Sequence, residues 1–312
     1  MASKVNQHDL LRYIPSDKRR ELRKICGFGC VVCASSIYDY EHIEPEWQDA
    51  HGHDVNKMAL LCGTCHGQVT RKQWSKEKIW EALAKPKALQ QGGATAMYDY
   101  DMKPLWIEAG GAKIYDPENV LTMFGTPLLQ IKPPEEVGAP IRISGTFYDS
   151  SGALVFSIDD NRWQAGTGVW DIETAGQRTT LRRGPRDIAL VLRAEPREKL
   201  IIERMDMFYK GVRVYVDEQG ICFGPPGSTL FGFSGEIIQP ISAFNISVDD
   251  GRETNAMFTV GVPTSGQFTN NTATGADLAM CWRGQGHVIG IGYKSVKCSG
   301  SLISVDPKVP RS

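Results

Sequence analysis

Two CxxC pairs near the amino terminus constrain the fold of this chain more than any other feature. Cys30 and Cys33 form the first pair, Cys62 and Cys65 form the second, and 28 residues separate the two pairs. Two thiolates at this spacing on a tight turn can bind one ion, and two such turns complete a tetrahedral Zn²⁺ site. Cys26 remains an alternative to Cys30 or Cys33, although the CxxC spacing favours the latter two. We therefore predict a small domain that zinc holds together.

The sequence context favours a metal site over disulfide bonds. The chain starts with Met-Ala-Ser-Lys and continues as a polar, charged run, so no secretory signal is visible. This indicates a reducing, cytoplasmic location, where CxxC pairs bind metal more often than they form disulfides. No apolar run approaches the roughly 20 residues that a membrane-spanning helix requires. We expect no association with a membrane.

Polar side chains with hydrolytic potential lie between and after the cysteine pairs. Glu41 and His42 are neighbours on a predicted strand (IYDYEHI), and Asn56 follows. His66 lies on a helix that is predicted to start near Cys62 and to run through TCHGQVTRKQW. Phosphodiester hydrolysis requires an activated water and a cation that stabilises the developing negative charge. A carboxylate and an imidazole can bind the cation, a second imidazole can activate the water, and an amide can orient that imidazole. This combination of residues predicts a hydrolytic site.

The order Glu41-His42, then Asn56, then His66, framed by two CxxC pairs, resembles the HNH endonucleases of the zinc-knuckle type. The resemblance covers residues 15–80 and implies a ββα-metal, treble-clef-like fold with a structural Zn²⁺. It also implies that His42 is the general base and that Asn56 holds the His42 loop and ring. Glu41 and His66 would bind a catalytic divalent ion, Mg²⁺, Mn²⁺ or another. The family more often has Asp where this chain has Glu41.

Two further histidines, His51 and His53, lie in the loop DAHGHD between the cysteine pairs. Histidines in polar loops are ordinarily surface residues. We therefore predict no direct role for either of them.

Basic residues flank the predicted site on both sides. Residues 1–90 carry 14 Lys and Arg against 11 Asp and Glu, whereas the whole chain has a formal net charge of −1. Because Lys and Arg neutralise phosphates, this asymmetry favours DNA as the partner of the amino-terminal region. The predicted nucleic-acid contacts are Arg19, Arg20, Arg23, Lys24, Arg71 and Lys72.

The rest of the chain has a different pattern of apolar residues, which is typical of strands. We therefore predict an α+β protein in which a mostly β domain follows the small HNH domain. The predicted boundaries are 1–88 for the HNH domain, 89–104 for a linker centred near Gly92, and 105–312 for the β domain, with a subdivision near residue 235. Short runs rich in Val, Ile, Phe and Tyr recur between Gly, Asp, Asn and Pro after residue 105. A sandwich, a barrel and a solenoid are all compatible with this pattern.

These observations predict a metal-dependent DNA endonuclease whose β domain recognises DNA, or a modified base, or controls cleavage. A role in prokaryotic restriction or phage defence follows from this combination. Since one HNH site cuts one strand, a double-strand break requires a homodimer or two successive nicks. Two alternatives remain: a nuclease gated by a small-molecule ligand of the β domain, and a non-catalytic zinc-knuckle protein that binds nucleic acid or protein.

Overall fold

A computed structural model gives the fold of this protein. It describes residues 5–100, 105–137, 139–218, 220–224, 231–233, 235–238, 242–248, 253–254, 256–262, 272–274, 279–283, 288–292 and 295–297.

The protein is α+β, with short helices near the amino terminus and strands throughout the remainder. The helices are α1 (Ser16–Ile25), α2 (Gly63–Thr70), α3 (Lys76–Ala84) and α4 (Lys87–Gln90), with 3₁₀ turns at Trp47–Asp49 and Val55–Lys57. The first strands are β1 (Asp39–His42), β2 (Met58–Leu61), β3 (Gly93–Met97), β4 (Trp106–Ala109), β5 (Ala112–Tyr115), β6 (Asn119–Met123), β7 (Thr126–Lys132), β8 (Arg142–Tyr148), β9 (Leu154–Asp159), β10 (Arg162–Gly166), β11 (Asp171–Ala175), β12 (Arg178–Gly184) and β13 (Asp187–Glu195). They are followed by β14 (Lys199–Tyr209), β15 (Val212–Asp217), β16 (Gly220–Gly224), β17 (Phe231–Phe233), β18 (Gly235–Ile238), β19 (Ser242–Val248), β20 (Glu253–Thr254), β21 (Ala256–Val262), β22 (Thr272–Thr274), β23 (Ala279–Arg283), β24 (Val288–Gly292) and β25 (Ser295–Lys297).

The chain forms two compact units. Unit 1 contains Met1–Tyr98, Leu154–Ser157 and Arg162–Arg193, and unit 2 contains Asp99–Ala153, Ile158–Asn161 and Ala194–Ser312. Residues 162–193, which follow the predicted linker by many positions, thus pack with the amino-terminal helices.

Unit 1 is built around the antiparallel pair of β1 and β2, in which Glu41 lies opposite Ala59. All four residues of β2 are buried, as expected for a short strand covered on both faces. Leu22 from α1 and Ile79 from α3 pack into the same cluster of apolar side chains. This core holds β1 and the start of α2, the two elements that carry Glu41, His42 and His66.

Local sequence explains where these helices begin and end. α1 has an acidic residue, Asp17, in its first turn and Arg23 and Lys24 in its last turn, which complements the helix dipole. The Ser75 hydroxyl caps α3 by accepting a hydrogen bond from the Lys78 amide. The α3 helix ends at Ala84, before Pro86, because proline disfavours helical conformation in the preceding residue.

The glycine-rich segment predicted as a linker contains a strand. β3 pairs antiparallel with β10, and Gly93 lies opposite Gly166. A Cβ atom on Gly93 would lie 2.3 Å from the carbonyl oxygen of Ala165. Gly93 is therefore required by the close approach of two backbones, a constraint that the prediction of a linker centred near Gly92 does not include.

The remaining strands of unit 1 form an antiparallel meander, with β12 between β11 and β13. The ends of this meander carry charged residues: Asp171 starts β11, and Arg182 lies opposite it on β12. Asp171 is buried, so the start of β11 presents a carboxylate to the interior of unit 1.

Unit 2 consists of open sheets. One runs in the order β18-β5-β4-β14-β15-β16-β17, and another contains β24-β23-β21-β19-β6-β7-β8. The two-residue turns that join β6 to β7 and β14 to β15 have positive φ at both positions, 50° and 76° at Phe124 and Gly125 and 47° and 84° at Lys210 and Gly211. Such turns match the twist of antiparallel strands, which explains these tight hairpins. Among the residues that the structure describes, no helix combines the length and apolar character needed to cross a membrane.

Candidate functional site

The first cysteine pair lies on a sharp turn after α1. Gly27 and Phe28 have positive φ values of 69° and 66°, which bring the chain back over the end of the helix. The Cys30 amide then donates to the Ser35 carbonyl (2.8 Å), and the Ala34 amide donates to the Cys30 carbonyl (2.8 Å). These two hydrogen bonds close a knuckle around Cys30.

The second pair lies at the start of α2. Cys62 occupies the N-cap position, where its Sγ accepts a hydrogen bond from the Cys65 amide (3.5 Å). Cys65 faces the core in the first turn of the helix. The second CxxC pair thus lies at a helix N-terminus, with both of its cysteines in or next to the first turn of α2.

The two pairs meet as one cluster of four ligand atoms. The Sγ atoms of Cys30, Cys33, Cys62 and Cys65 all lie within 4.8 Å of one another, and those of Cys33 and Cys62 are 3.6 Å apart. The hydrogen bond from Cys33 lowers the pKa of the Cys30 thiol to about 5, so one thiolate is already favoured. The four cysteines are positioned to bind a metal ion, and Cys26 is not among them.

Glu41 and His66 come together from two different elements. Glu41 lies on β1, His66 lies in the first turn of α2, and the distance between Oε2 of Glu41 and Nε2 of His66 is 3.2 Å. Both side chains are about one-third exposed, at 34% and 38%. Burial raises the pKa of Glu41, and the nearby His66 acts in the opposite direction. The pair forms a carboxylate–imidazole couple that solvent can reach.

His42, the neighbour of Glu41, is buried and bonded to a second histidine. Its Nε2 lies 3.0 Å from Nδ1 of His53, and Nε2 of His53 lies 3.0 Å from the Leu11 carbonyl oxygen. Burial, together with the neighbouring His53, lowers the pKa of His42 to about 4. His42 is therefore a neutral imidazole near pH 7, the form that can accept a proton.

Asn56 lies in the 3₁₀ turn before β2, with an exposed side chain. Both its backbone amide (3.1 Å) and its side-chain Nδ2 (3.4 Å) lie within hydrogen-bond distance of Oδ1 of Asp54. The hydrogen-bond partner of the His42 ring is His53, as described above. The structure thus places Asn56 in the turn that leads away from His53.

One cleft of about 700 Å³ brings together three of the predicted site residues, and Asn56 is not among the residues that line it. Glu41, His42 and His66 line it together with Lys72 and Lys76. The Thr70 hydroxyl, one turn after His66, donates to the His66 carbonyl (3.1 Å). The cleft thus combines a carboxylate–imidazole couple, a neutral imidazole and two lysine side chains.

The six basic residues predicted to contact DNA fall into two groups. Lys24, Arg71 and Lys72 are exposed, and Lys72 borders the cleft. The other three contact the region around β11: Arg19 lies 3.8 Å from Glu173, and the Arg20 guanidinium lies 4.3 Å from the centre of the Trp170 ring.

Arg23 is buried within unit 1. Its guanidinium donates to both carboxylate oxygens of Asp171 (2.9 and 2.7 Å) and to the Tyr40 hydroxyl (2.6 Å). The sequence analysis predicted a phosphate contact at Arg23 and gave no indication that this side chain is buried. A run of arginines has the same appearance whether its partners are phosphates or carboxylates supplied by a distant part of the chain.

His53 and Asp171 are the residues that the sequence interpretation did not select. His53 was interpreted as a surface residue, yet its exposed fraction is 6%. The only sequence feature that could have indicated a role for His53 is its place in DAHGHD, shortly before β2. Asp171 lies 148 residues from Arg23 along the chain, and no local pattern connects the two.

Comparisons of this chain with protein-family models, with curated proteins and with solved structures gave no match. The candidate site is therefore interpreted from its own geometry and chemistry.

Proposed function

We propose that this protein is a metal-dependent endonuclease of the HNH type that hydrolyses phosphodiester bonds of DNA. The observation that carries the proposal is the cleft in which the Glu41–His66 couple lies beside the neutral imidazole of His42. Glu41 and His66 would bind a divalent ion such as Mg²⁺ or Mn²⁺. When bound, such an ion polarises the phosphate and stabilises the leaving oxygen.

The chain's own residues then have distinct roles. His42 accepts the proton of the attacking water, since burial keeps its imidazole neutral. Lys72 and Lys76 border the cleft and orient the phosphate backbone, although Lys76 also pairs with Glu46 at 2.9 Å. Lys24 and Arg71 are exposed and extend the positive surface.

The cysteine cluster supplies the scaffold in this proposal. A tetrahedral Zn²⁺ with bonds of about 2.3 Å places its sulfur ligands roughly 3.8 Å apart, close to the 3.6 Å between Cys33 and Cys62. A structural Zn²⁺ at these four cysteines would link the knuckle that precedes β1 to the start of α2. The distance between Glu41 and His66 depends on that arrangement.

The strands that follow β3 are proposed to recognise DNA or to control cleavage. A direct link between these strands and α1 supports a controlling role: Arg19, Arg20 and Arg23 each contact a residue at or near β11 (Trp170, Asp171 or Glu173). Part of the basic surface of α1 is thereby neutralised within the protein. Prokaryotic restriction or phage defence is the proposed setting.

A plasmid-nicking screen tests the proposal. The full chain is incubated with Mg²⁺, Mn²⁺, Ni²⁺ or EDTA, on unmodified DNA and on phage DNA with modified bases. We expect conversion of supercoiled to open-circular DNA that requires a divalent ion and is lost in His42→Ala. His51→Ala is the matched control, because His51 is an exposed histidine outside the cleft.

Two other results would favour a different function. Cleavage only after a cell extract is added would indicate a ligand-gated nuclease. DNA binding without cleavage on any substrate, by protein that holds its zinc, would indicate a non-catalytic binding protein.

A further inference from the structure

Three groups from separate segments form a linear hydrogen-bonded chain that ends at His42. The Leu11 carbonyl oxygen lies 3.0 Å from Nε2 of His53, and Nδ1 of His53 lies 3.0 Å from Nε2 of His42. Both imidazoles are buried, with exposed fractions of 7% for His42 and 6% for His53. Water therefore does not compete freely for these ring nitrogens.

The donors and acceptors in this row of hydrogen bonds determine the tautomers of His53 and His42. A carbonyl oxygen only accepts hydrogen bonds, so Nε2 of His53 must carry a proton and donate. An imidazole that carries one proton has its lone pair on the other nitrogen, so Nδ1 of His53 is then the acceptor. Nε2 of His42 must consequently be the donor, and the lone pair of neutral His42 is left on Nδ1.

We propose that His53 is a positioning residue that holds His42 in the tautomer protonated at Nε2, so that Nδ1 is the atom that accepts the proton of the attacking water. The catalytic part of this inference rests on the proposed nuclease function, whereas the tautomer itself does not. In the proton transfer, the O–H bond of the water breaks and an N–H bond forms at Nδ1. The resulting His42 imidazolium still donates through Nε2 to His53, so the hydrogen bonds between His42, His53 and Leu11 are all kept.

The position of His53 also explains why a histidine serves here. The ring spans the gap between the Leu11 carbonyl and the His42 ring and bonds to both with opposite polarity, as acceptor at Nδ1 and donor at Nε2. The Leu11 carbonyl belongs to the segment before α1, while His53 belongs to the loop before β2. The orientation of His42 on β1 is thus set by two segments that lie outside its own strand.

The test compares two substitutions at His53 in the full chain. Asn can present an acceptor oxygen at the place of Nδ1, whereas Leu fills similar space without any polar atom. For single-turnover cleavage, we expect His53→Leu to lower kcat about tenfold, the scale of one lost buried hydrogen bond, with little change in KM. His53→Asn should recover most of the lost rate.

A spectroscopic readout examines the tautomer independently of cleavage. In ¹⁵N-histidine-labelled protein, with the His42 signals assigned by their absence in His42→Ala, we expect a protonated Nε2 and an unprotonated Nδ1. The hydrogen-bonded Nε2–H signal should persist in His53→Asn and disappear in His53→Leu. If the wild-type protein does not cleave DNA, the proposed function fails, and this readout alone still decides the tautomer.

Three results would each overturn the inference. They are a His42 protonated at Nδ1 in the wild-type protein, a kcat unchanged in His53→Leu, and a kcat in His53→Asn as low as that in His53→Leu. The last result would indicate that His53 contributes only to packing.

Discussion

The buried ion pair between Arg23 and Asp171 gives a prediction whose magnitude follows from its geometry. Two hydrogen bonds of 2.9 and 2.7 Å join the side chains, which are only 4% and 3% exposed. Although burial lowers the pKa of Arg23, the hydrogen bond to Asp171 and neighbouring charges outweigh it, and the pKa stays above its ordinary value. The guanidinium is therefore charged inside unit 1.

Asp171→Asn removes one charge at nearly constant volume. Removing one partner of a buried pair costs about 3–5 kcal/mol because the other charge is left uncompensated. Arg23 would retain Glu173 at 3.2 Å and the Tyr40 hydroxyl at 2.6 Å. We therefore expect the lower end of that range, a loss of about 3 kcal/mol in the free energy of unfolding.

Urea denaturation followed by tryptophan fluorescence measures the effect. Asp54→Asn is the matched control, since the Asp54–Lys57 pair is exposed at 49% and 55% with a separation of 4.0 Å. The control should lose at most about 1 kcal/mol. Equal losses in the two variants would refute the conclusion that Arg23 and Asp171 form a dehydrated pair that holds β11 to α1.

Two further predictions concern the scaffold. Cys62→Ser should release the structural metal, as measured by mass spectrometry of the native protein, and should lower the thermal stability of unit 1. Cys26→Ala is the control and should keep the metal. Loss of metal in both variants would contradict the assignment of four ligands. Gly93→Ala should destabilise the β3–β10 pair, because the added Cβ would lie 2.3 Å from a backbone oxygen. Gly168→Ala, where no atom lies within 4 Å of the added Cβ, should have little effect on the melting temperature, and equal shifts would exclude the steric explanation.

Local spacing predicted the parts of the site that lie close in sequence. The two CxxC pairs predicted a cluster of four cysteines, and their Sγ atoms lie within 4.8 Å of one another. The spacing of the predicted strand and helix also indicated the elements that carry Glu41 and His66, which lie 3.2 Å apart. The predominance of strands after residue 105 followed from short apolar runs between turn residues.

The parts that sequence did not indicate depend on distant partners. His53 is buried because Leu11, 42 residues away, supplies an acceptor for its ring. Arg23 is buried because Asp171 supplies a carboxylate from β11. The glycine-rich stretch near residue 93 was predicted to be a linker, and the backbone of β10 requires glycine at position 93 for steric reasons. Each of these features needs a contact that local periodicity does not encode.

Cleavage by wild-type protein and by His42→Ala, compared under single-turnover conditions with a divalent ion, tests the central claim most directly. Both proteins must first be shown to retain the metal of the cysteine cluster. A positioned general base contributes about 10²- to 10⁴-fold to a rate, so cleavage by His42→Ala should be slower by that factor, while His51→Ala should match the wild type. Equal cleavage rates for wild type and His42→Ala would contradict the assignment of this cleft as the nuclease site.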